Sequence, residues 1–292
     1  MREVHDLGRV AELNQDESVA QETRRVLAEF FTSSVPRRSW EPLRDLPTAE
    51  MHELAPRLSE DTIHLLEGFM GIEAYVGDYV SEGLEARRGA PDRRRLMLQW
   101  GAEEGRHEAA LQQVLLHCGA RTQQQLDDYA AQLADRRWTA AQHNGMDSAF
   151  GALVYATFQE RATYTNYVEL RRRVRSEYGL PDHATPVEAE RGYERGVSEA
   201  LQRIALDEVA HHAVFLKLLR IHLAHFPELT LAKIAEVLEG FAMPALRLIP
   251  SRRHFVASVL RTQLYGEAKH EVRVVTPTLK QLGIAEAPTP DA

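Results

Sequence analysis

Two Glu-x-x-His pairs, Glu104 with His107 and Glu208 with His211, carry the residue types and spacing in this chain best suited to chemistry. Residues three apart share one face of a helix, so each pair can present a carboxylate and an imidazole to the same point. Both pairs interrupt apolar stripes. Met97, Trp100, Glu104, His107, Leu111, Val114 and Cys118 succeed one another at steps of three and four, as do Leu201, Ile204, Glu208, His211, Phe215 and Leu218. An ionised carboxylate on a buried face is costly unless it is paired or bound to metal, so the two stripes point to a metal between helices. Two further glutamates sit in comparable stripes: Glu160 among Leu153, Ala156, Thr163 and Tyr167, and Glu82 after Tyr75 and Asp78. Four carboxylates and two imidazoles, with a Glu-x-x-His on each of two helices and a lone Glu on each of two others, are the donor set of dinuclear carboxylate bundles. Such oxygen-rich ligation suits iron or manganese and leaves positions open for a small molecule such as dioxygen. His212 points away from this face, and His117, His222 and His225 read as surface or rim residues.

The elements that must position these residues are helices. Apolar spacing of three and four dominates the chain and alternating β-branched runs are scarce, which predicts an all-α fold. Helices are expected at about 16–33, 60–88, 92–118, 122–136, 147–178, 186–224, 229–248 and 252–282. Pro91, Gly119, Gly179, Pro181 and Pro227 punctuate them. Several copies of such length imply a bundle of long helices, with the metal site between four core helices. Residues 1–283 read as a single domain, with 1–15 loosely held, 284–292 a flexible tail and 176–199 a charged surface excursion or restarted helix.

Composition limits the partners. The formal net charge of −8 excludes a general nucleic-acid binder, and no apolar run is long enough to span a bilayer. Cys118 alone makes neither a disulfide nor a cysteine-rich metal site. With no secretory or transit signal at Met1–Asp6, the expectation is a soluble cytoplasmic protein.

Four blocks, in this order, resemble the soluble acyl-acyl-carrier-protein desaturases: Val76-Gly77-Asp78-Tyr79-Val80-Ser81-Glu82, Trp100-Gly101-Ala102-Glu103-Glu104-Gly105-Arg106-His107, Phe158-Gln159-Glu160-Arg161-Ala162-Thr163 and Asp207-Glu208-Val209-Ala210-His211. Ser39-Trp40-Glu41-Pro42 and Met243-Pro244-Ala245 extend the similarity over residues 40–265. The resemblance implies a di-iron centre, two iron ions per chain (ferrous when reduced, with manganese as an alternative), held by Glu82, Glu104, His107, Glu160, Glu208 and His211. It implies Thr163 beside the oxygen-binding face, and Trp40 and Asp207 at the point of electron entry. Its activity would be dioxygen-dependent insertion of a cis double bond into a carrier-bound acyl chain, with ferredoxin as electron donor, acyl carrier protein as partner and a homodimer as the assembly. Tyr75, Trp100, Phe158 and Tyr164 are candidates for the wall of an acyl channel. Arg87, Arg88 and Arg93 to Arg95 would offer an acidic carrier a basic patch, with Arg171, Arg172, Arg173 and Arg175 as a second run.

The pattern also departs from the family. Glu82 to Glu104 spans 104 − 82 = 22 residues, a short connection, while Glu160 to Glu208 spans 208 − 160 = 48, a long one. Two rival readings use the same ligands: a ferritin-like di-iron oxygenase that hydroxylates or N-oxygenates a carrier-bound substrate, and a non-enzymatic iron-binding protein.

Overall fold

The computed structural model describes residues 17–180 and 194–285, and among these it contains helices and no strand. Ten helices organise it: α1 (Glu17–Glu29), α2 (Glu60–Glu73), α3 (Val76–Glu85), α4 (Pro91–His117), α5 (Gln123–Ala134), α6 (Ala149–Tyr178), α7 (Val197–His225), α8 (Pro227–Glu239), α9 (Arg252–Thr262) and α10 (Thr276–Leu282). Short turns of helix at Pro42–Asp45 and Thr48–Leu54 cover α4. The expected segment 1–15 lies outside the described residues, as do 181–193 of the expected excursion and 286–292 of the expected tail.

Local chemistry sets the helix ends. Pro91 opens α4 and Pro227 opens α8, where a missing N–H costs nothing. Ser59 and Ser148 cap α2 and α6 with their hydroxyls, and Thr122 and Gln125 form a reciprocal capping box on α5. Gly179 ends α6 at φ +73°, in the left-handed region a side chain would resist.

Two expected helices are broken. The segment 60–88 divides at Ala74 and Tyr75 into α2 and α3, and 252–282 divides at Gln263, which takes φ +52°. Helix α8 ends at Glu239 rather than 248, and 240–251 forms turns that pack Ala245 and Ile249 into the core.

Helices α2, α4, α6 and α7 form the core bundle, with α6 and α7 in contact along their length and α2 against α4. Helix α1 lies on α7, α8 on α6 and α7, and α9 on α2. The interior holds two apolar clusters. One contains Leu66, Phe69, Leu111, Tyr167, Leu170, Leu201 and Ile204; the other contains Leu96, Phe150, Phe158, Phe215 and Leu219. Along α4, α6 and α7 each cluster occupies one half, and the Glu and His residues fall at the junction. The apolar halves supply the burial that offsets a polar centre.

The turn leading into α6 has no spare room. A Cβ on Gly151 would stand 1.8 Å from the Gly145 carbonyl oxygen, so Gly151→Ala must displace backbone. We expect this variant to lose roughly 1–3 kcal/mol in a urea titration, as overpacked sites do. An unchanged midpoint would contradict the close approach.

Candidate metal centre

Six side chains converge where the two apolar clusters meet. Glu73, Glu104, His107 and Glu208 form one group and Glu104, Glu160, Glu208 and His211 another, the ligand atoms within each lying within 4.8 Å of one another. Glu104 and Glu208 belong to both groups, while Glu73 with His107 and Glu160 with His211 belong to one each. His107 Nδ1 is 3.3 Å from Glu104 Oε2 and from Glu208 Oε1; His211 Nδ1 is 2.9 Å from Glu104 Oε1 and 3.4 Å from Glu160 Oε2. The imidazole centres are 6.0 Å apart, and all six residues are buried.

Of the six residues expected as ligands, the structure gathers five into this cluster and places Glu82 outside it. Glu73, which the sequence reading passed over, takes its place. Nine residues separate the two, roughly 2.5 helical turns, so even an unbroken helix would turn them to opposite faces and set them about 13 Å apart. Glu73 ends α2 on the stripe of Leu66 and Phe69, a signal present in the sequence. Glu82 instead accepts the Ala140 N–H at 2.7 Å and Asp78 accepts that of Trp138 at 2.8 Å, so this stripe of α3 secures the loop after α5. The connection to Glu104 therefore becomes 104 − 73 = 31 residues, and its apparent shortness disappears.

The unusual electrostatics come from crowding. Burial, with Glu104 and Glu208 adding repulsion, pushes the Glu73 carboxyl well up; burial and Glu208 do the same to Glu160. Burial also acts upward on Glu104, but His107 and His211 outweigh it and hold that carboxyl low. Burial would lower both imidazoles, yet the surrounding carboxylates drive them well above the ordinary histidine range. With every carboxyl ionised and both imidazoles neutral the centre would hold only negative charge, and in the metal-free chain bound protons offset it. Glu104 Oε1, Glu208 Oε1, His107 Nδ1 and His211 Nδ1 are buried without a properly directed hydrogen bond. Two divalent cations would satisfy these lone pairs and balance the charge, so the donor set fits a dinuclear metal centre.

A second layer fixes the imidazoles. Asp207 Oδ2 lies 3.3 Å from His107 Nε2, and Glu103 Oε2 lies 2.6 Å from His211 Nε2. The bracing is crossed: the acid on α7 holds the histidine on α4, and the reverse. Each acid directly precedes a ligand glutamate, so the chain carries an acid-Glu-x-x-His unit twice, a signal that could have selected Glu103 alongside Asp207. With Nε2 so occupied, each Nδ1 faces the cluster, the atom a metal would take. Arg38 spans the two acids, its Nη1 2.9 Å from Glu103 Oε2 and 2.8 Å from Asp207 Oδ1. Burial would raise Asp207, but His107, His211 and Arg106 bring it down to about 2, so it stays ionised.

Trp40, expected near Asp207, is there: its indole N–H donates to Asp207 Oδ2 at 2.9 Å, and Arg106 lies over its ring. The lone ligands also have aromatic donors. Tyr167 donates its hydroxyl to Glu73 Oε1 at 2.6 Å, and Trp100 Nε1 donates to Glu160 Oε1 at 2.9 Å. Thr163 stands one turn from Glu160, donating to the Gln159 carbonyl and accepting from the Gln159 amide. His212 bonds Thr157 and Gln281, and His117, His222 and His225 lie outside the cluster; His222 is buried rather than at the rim.

A cavity of about 480 Å³ reaches the cluster, with Glu73, Glu104, Glu160, Glu208 and Thr163 in its wall. Met97, Trp100, Tyr155, Phe215 and Met243 make most of the rest apolar. Of the four expected channel residues only Trp100 lines it; Tyr75 and Phe158 are core. The expected arginine patch is divided. Arg87 lines the cavity, Arg95 packs over Phe31, Arg88 is exposed but paired with Glu85, and Arg94 is exposed. Arg171 and Arg175 pair with Glu194, Arg172 with Glu169 and Arg173 with Glu177, so that run is structural.

Fold and site together define a ferritin-like helical bundle with a carboxylate–histidine cluster able to hold two metal ions. Residues 82–289 match the family model described as "Fatty acid desaturase", and the chain belongs to that family. No significant match was found among curated proteins. Among solved structures it is similar to DesA2 from Mycobacterium tuberculosis H37Rv, a protein assigned as an acyl-ACP desaturase, with 16% identity and a TM-score of 0.62 over 93% of this chain and 97% of that one. At this identity the likeness speaks for the fold.

Glu73 and Glu82 can be separated by metal counting. In an anaerobic ferrous titration, Glu82→Ala should keep the wild-type stoichiometry of about two ions, while Glu73→Ala should bind about one. Equal losses in both variants would overturn the placement of Glu73.

Proposed function

We propose that this protein is an oxygen-dependent acyl-acyl-carrier-protein desaturase with iron at the cluster of Glu73, Glu104, His107, Glu160, Glu208 and His211. The observation that carries the reading is the cavity: an apolar space of a size suited to a flexible chain has ligand carboxylates as part of its wall. A substrate held there meets the cluster and little water.

Bound iron would supply what no side chain can, an oxidant strong enough for an unactivated C–H bond. The overall change balances as one dioxygen, two electrons, two protons and two substrate hydrogens giving two waters and a double bond. The chain's own residues perform binding, exclusion and proton placement. Met97, Trp100, Tyr155 and Phe215 hold the chain and keep water out, which protects against side reactions. Thr163 and Gln159 place a hydroxyl and an amide beside Glu160 at the cavity wall. Trp40, Asp207 and His107 form a hydrogen-bonded line from beneath the surface to the cluster, the route we assign to electrons from a ferredoxin. The carrier protein would approach over the exposed Arg88 and Arg94, and a homodimer is the assembly we expect. No described helix is long and apolar enough to cross a membrane.

The test combines purified protein, ferrous iron, ferredoxin, its reductase, NADPH, oxygen and a panel of acyl-carrier thioesters, with mass spectrometry of the acyl chain. Loss of two hydrogens is the expected result. Gain of oxygen would move the assignment to a hydroxylase or N-oxygenase, and iron uptake beyond two ions without acyl change would indicate iron binding alone.

Asp207→Asn should keep the fold but lower reductant-dependent turnover by about 10–100-fold, the usual cost of removing a carboxylate behind a ligand histidine. Stopped-flow reduction of the ferric centre should slow in parallel. Reduction and turnover at wild-type rates would remove Asp207 from the route.

A further inference from the structure

The cavity has a charged outer end that oxidation does not need. Glu85, Ala86 and Asp147, all exposed, lie where it opens, and Arg87 stands in the wall beside them at the end of α3. Arg87 Nη1 donates to the Gly83 carbonyl at 3.0 Å and Nη2 to the Ala149 carbonyl at 3.3 Å. Both partners are neutral. Among the described residues no carboxylate lies within ion-pair distance of Arg87. The nearby acids are engaged elsewhere: Glu85 with Arg88 at 2.7 Å, Asp147 with Lys233 at 3.0 Å, and Glu82 with the Ala140 N–H at 2.7 Å.

Arg87 is half-buried, and a guanidinium partly withdrawn from water without a counter-ion is costly. Burial first, and the Arg93 cation second, push Arg87 down to about 10, yet it remains charged at neutral pH. Two of its five N–H groups are used, and the rest keep the planar fork that matches a carboxylate or phosphate. Ser148 lines the same cavity, and the α6 backbone that holds Arg87 begins there. The two carbonyls fix the fork in place, so little ordering is left for binding.

We propose that Arg87 binds an anionic oxygen group on the substrate, a carboxylate or a phosphate, and thereby selects chains charged where they pass the cavity opening. This deepens the reading of the cavity as the acyl-chain site and rests on it. A carboxylate would belong to the chain itself; a phosphate would belong to the arm that tethers it to a carrier.

The test uses the full-length, metal-free protein in isothermal titrations with two pairs of probes: decanoate against 1-decanol, and 4′-phosphopantetheine against pantetheine. The anionic member of one pair should bind about ten-fold or more tighter, as a charge-assisted fork contact allows. Arg87→Gln should remove that preference and leave weak binding of the neutral probe, with circular dichroism confirming the fold. The pair that shows the preference identifies the source of the anion. Should Arg87→Gln fail to fold, Arg87→Lys keeps the charge and loses the fork, and it should weaken the preference by about three-fold or more. Equal binding within both pairs, or a preference unchanged in the variants, would overturn the proposal. Desaturation by an enzyme with no such preference would remove this inference alone, while a clear preference in a protein that desaturates nothing would leave it standing.

Discussion

Glu104 and Glu208 face each other at the centre of the bundle, each within reach of both histidines, and the repulsion among them, Glu73 and Glu160 governs what surrounds them. Four carboxyls and two imidazoles cannot be buried together for stability alone. The two apolar clusters on either side supply the burial that permits it. Crossed contacts from Asp207 to His107 and from Glu103 to His211 then lock α4 and α7 in one register, and Arg38 ties the two acids together. Removing one partner from such a network leaves a buried group unsatisfied, which costs more than the contact itself contributes.

Function in this arrangement depends on where polarity stops. The cluster is polar on the side of α4 and α7 that faces Arg38 and Trp40, and apolar on the side that faces the cavity. In the proposed function, electrons and protons would reach the centre through hydrogen-bonded groups, while an acyl chain would reach it through a space that holds little water. Tyr167 and Trp100 complete the separation, each giving a single directed hydrogen bond to a terminal carboxylate while presenting hydrocarbon elsewhere.

Membership of the fatty acid desaturase family and the likeness to a solved bundle concern the frame. The substrate is decided by the site the frame carries and not by the frame itself. In this chain the residues of that site include Glu82 and Arg87 in addition to the carboxylates of the cluster.

Periodicity determined the helical class, the long core helices and five residues of the cluster, because an ionisable residue inside an apolar stripe of spacing three and four is carried toward the core with its neighbours. The paired acid-Glu-x-x-His units held the second layer as well, legible once Glu103 and Asp207 are compared. The choice between Glu73 and Glu82 belonged to tertiary structure. Both sit on plausible stripes, and only the break at Ala74 and Tyr75, together with the loop at Trp138 and Ala140 that claims Asp78 and Glu82, decides which carboxylate turns inward. The arginine runs divide for the same reason. Charge is written in the sequence, but whether an arginine meets water, a glutamate or a cavity depends on which distant segment packs beside it, and sequence spacing carries no record of that distance.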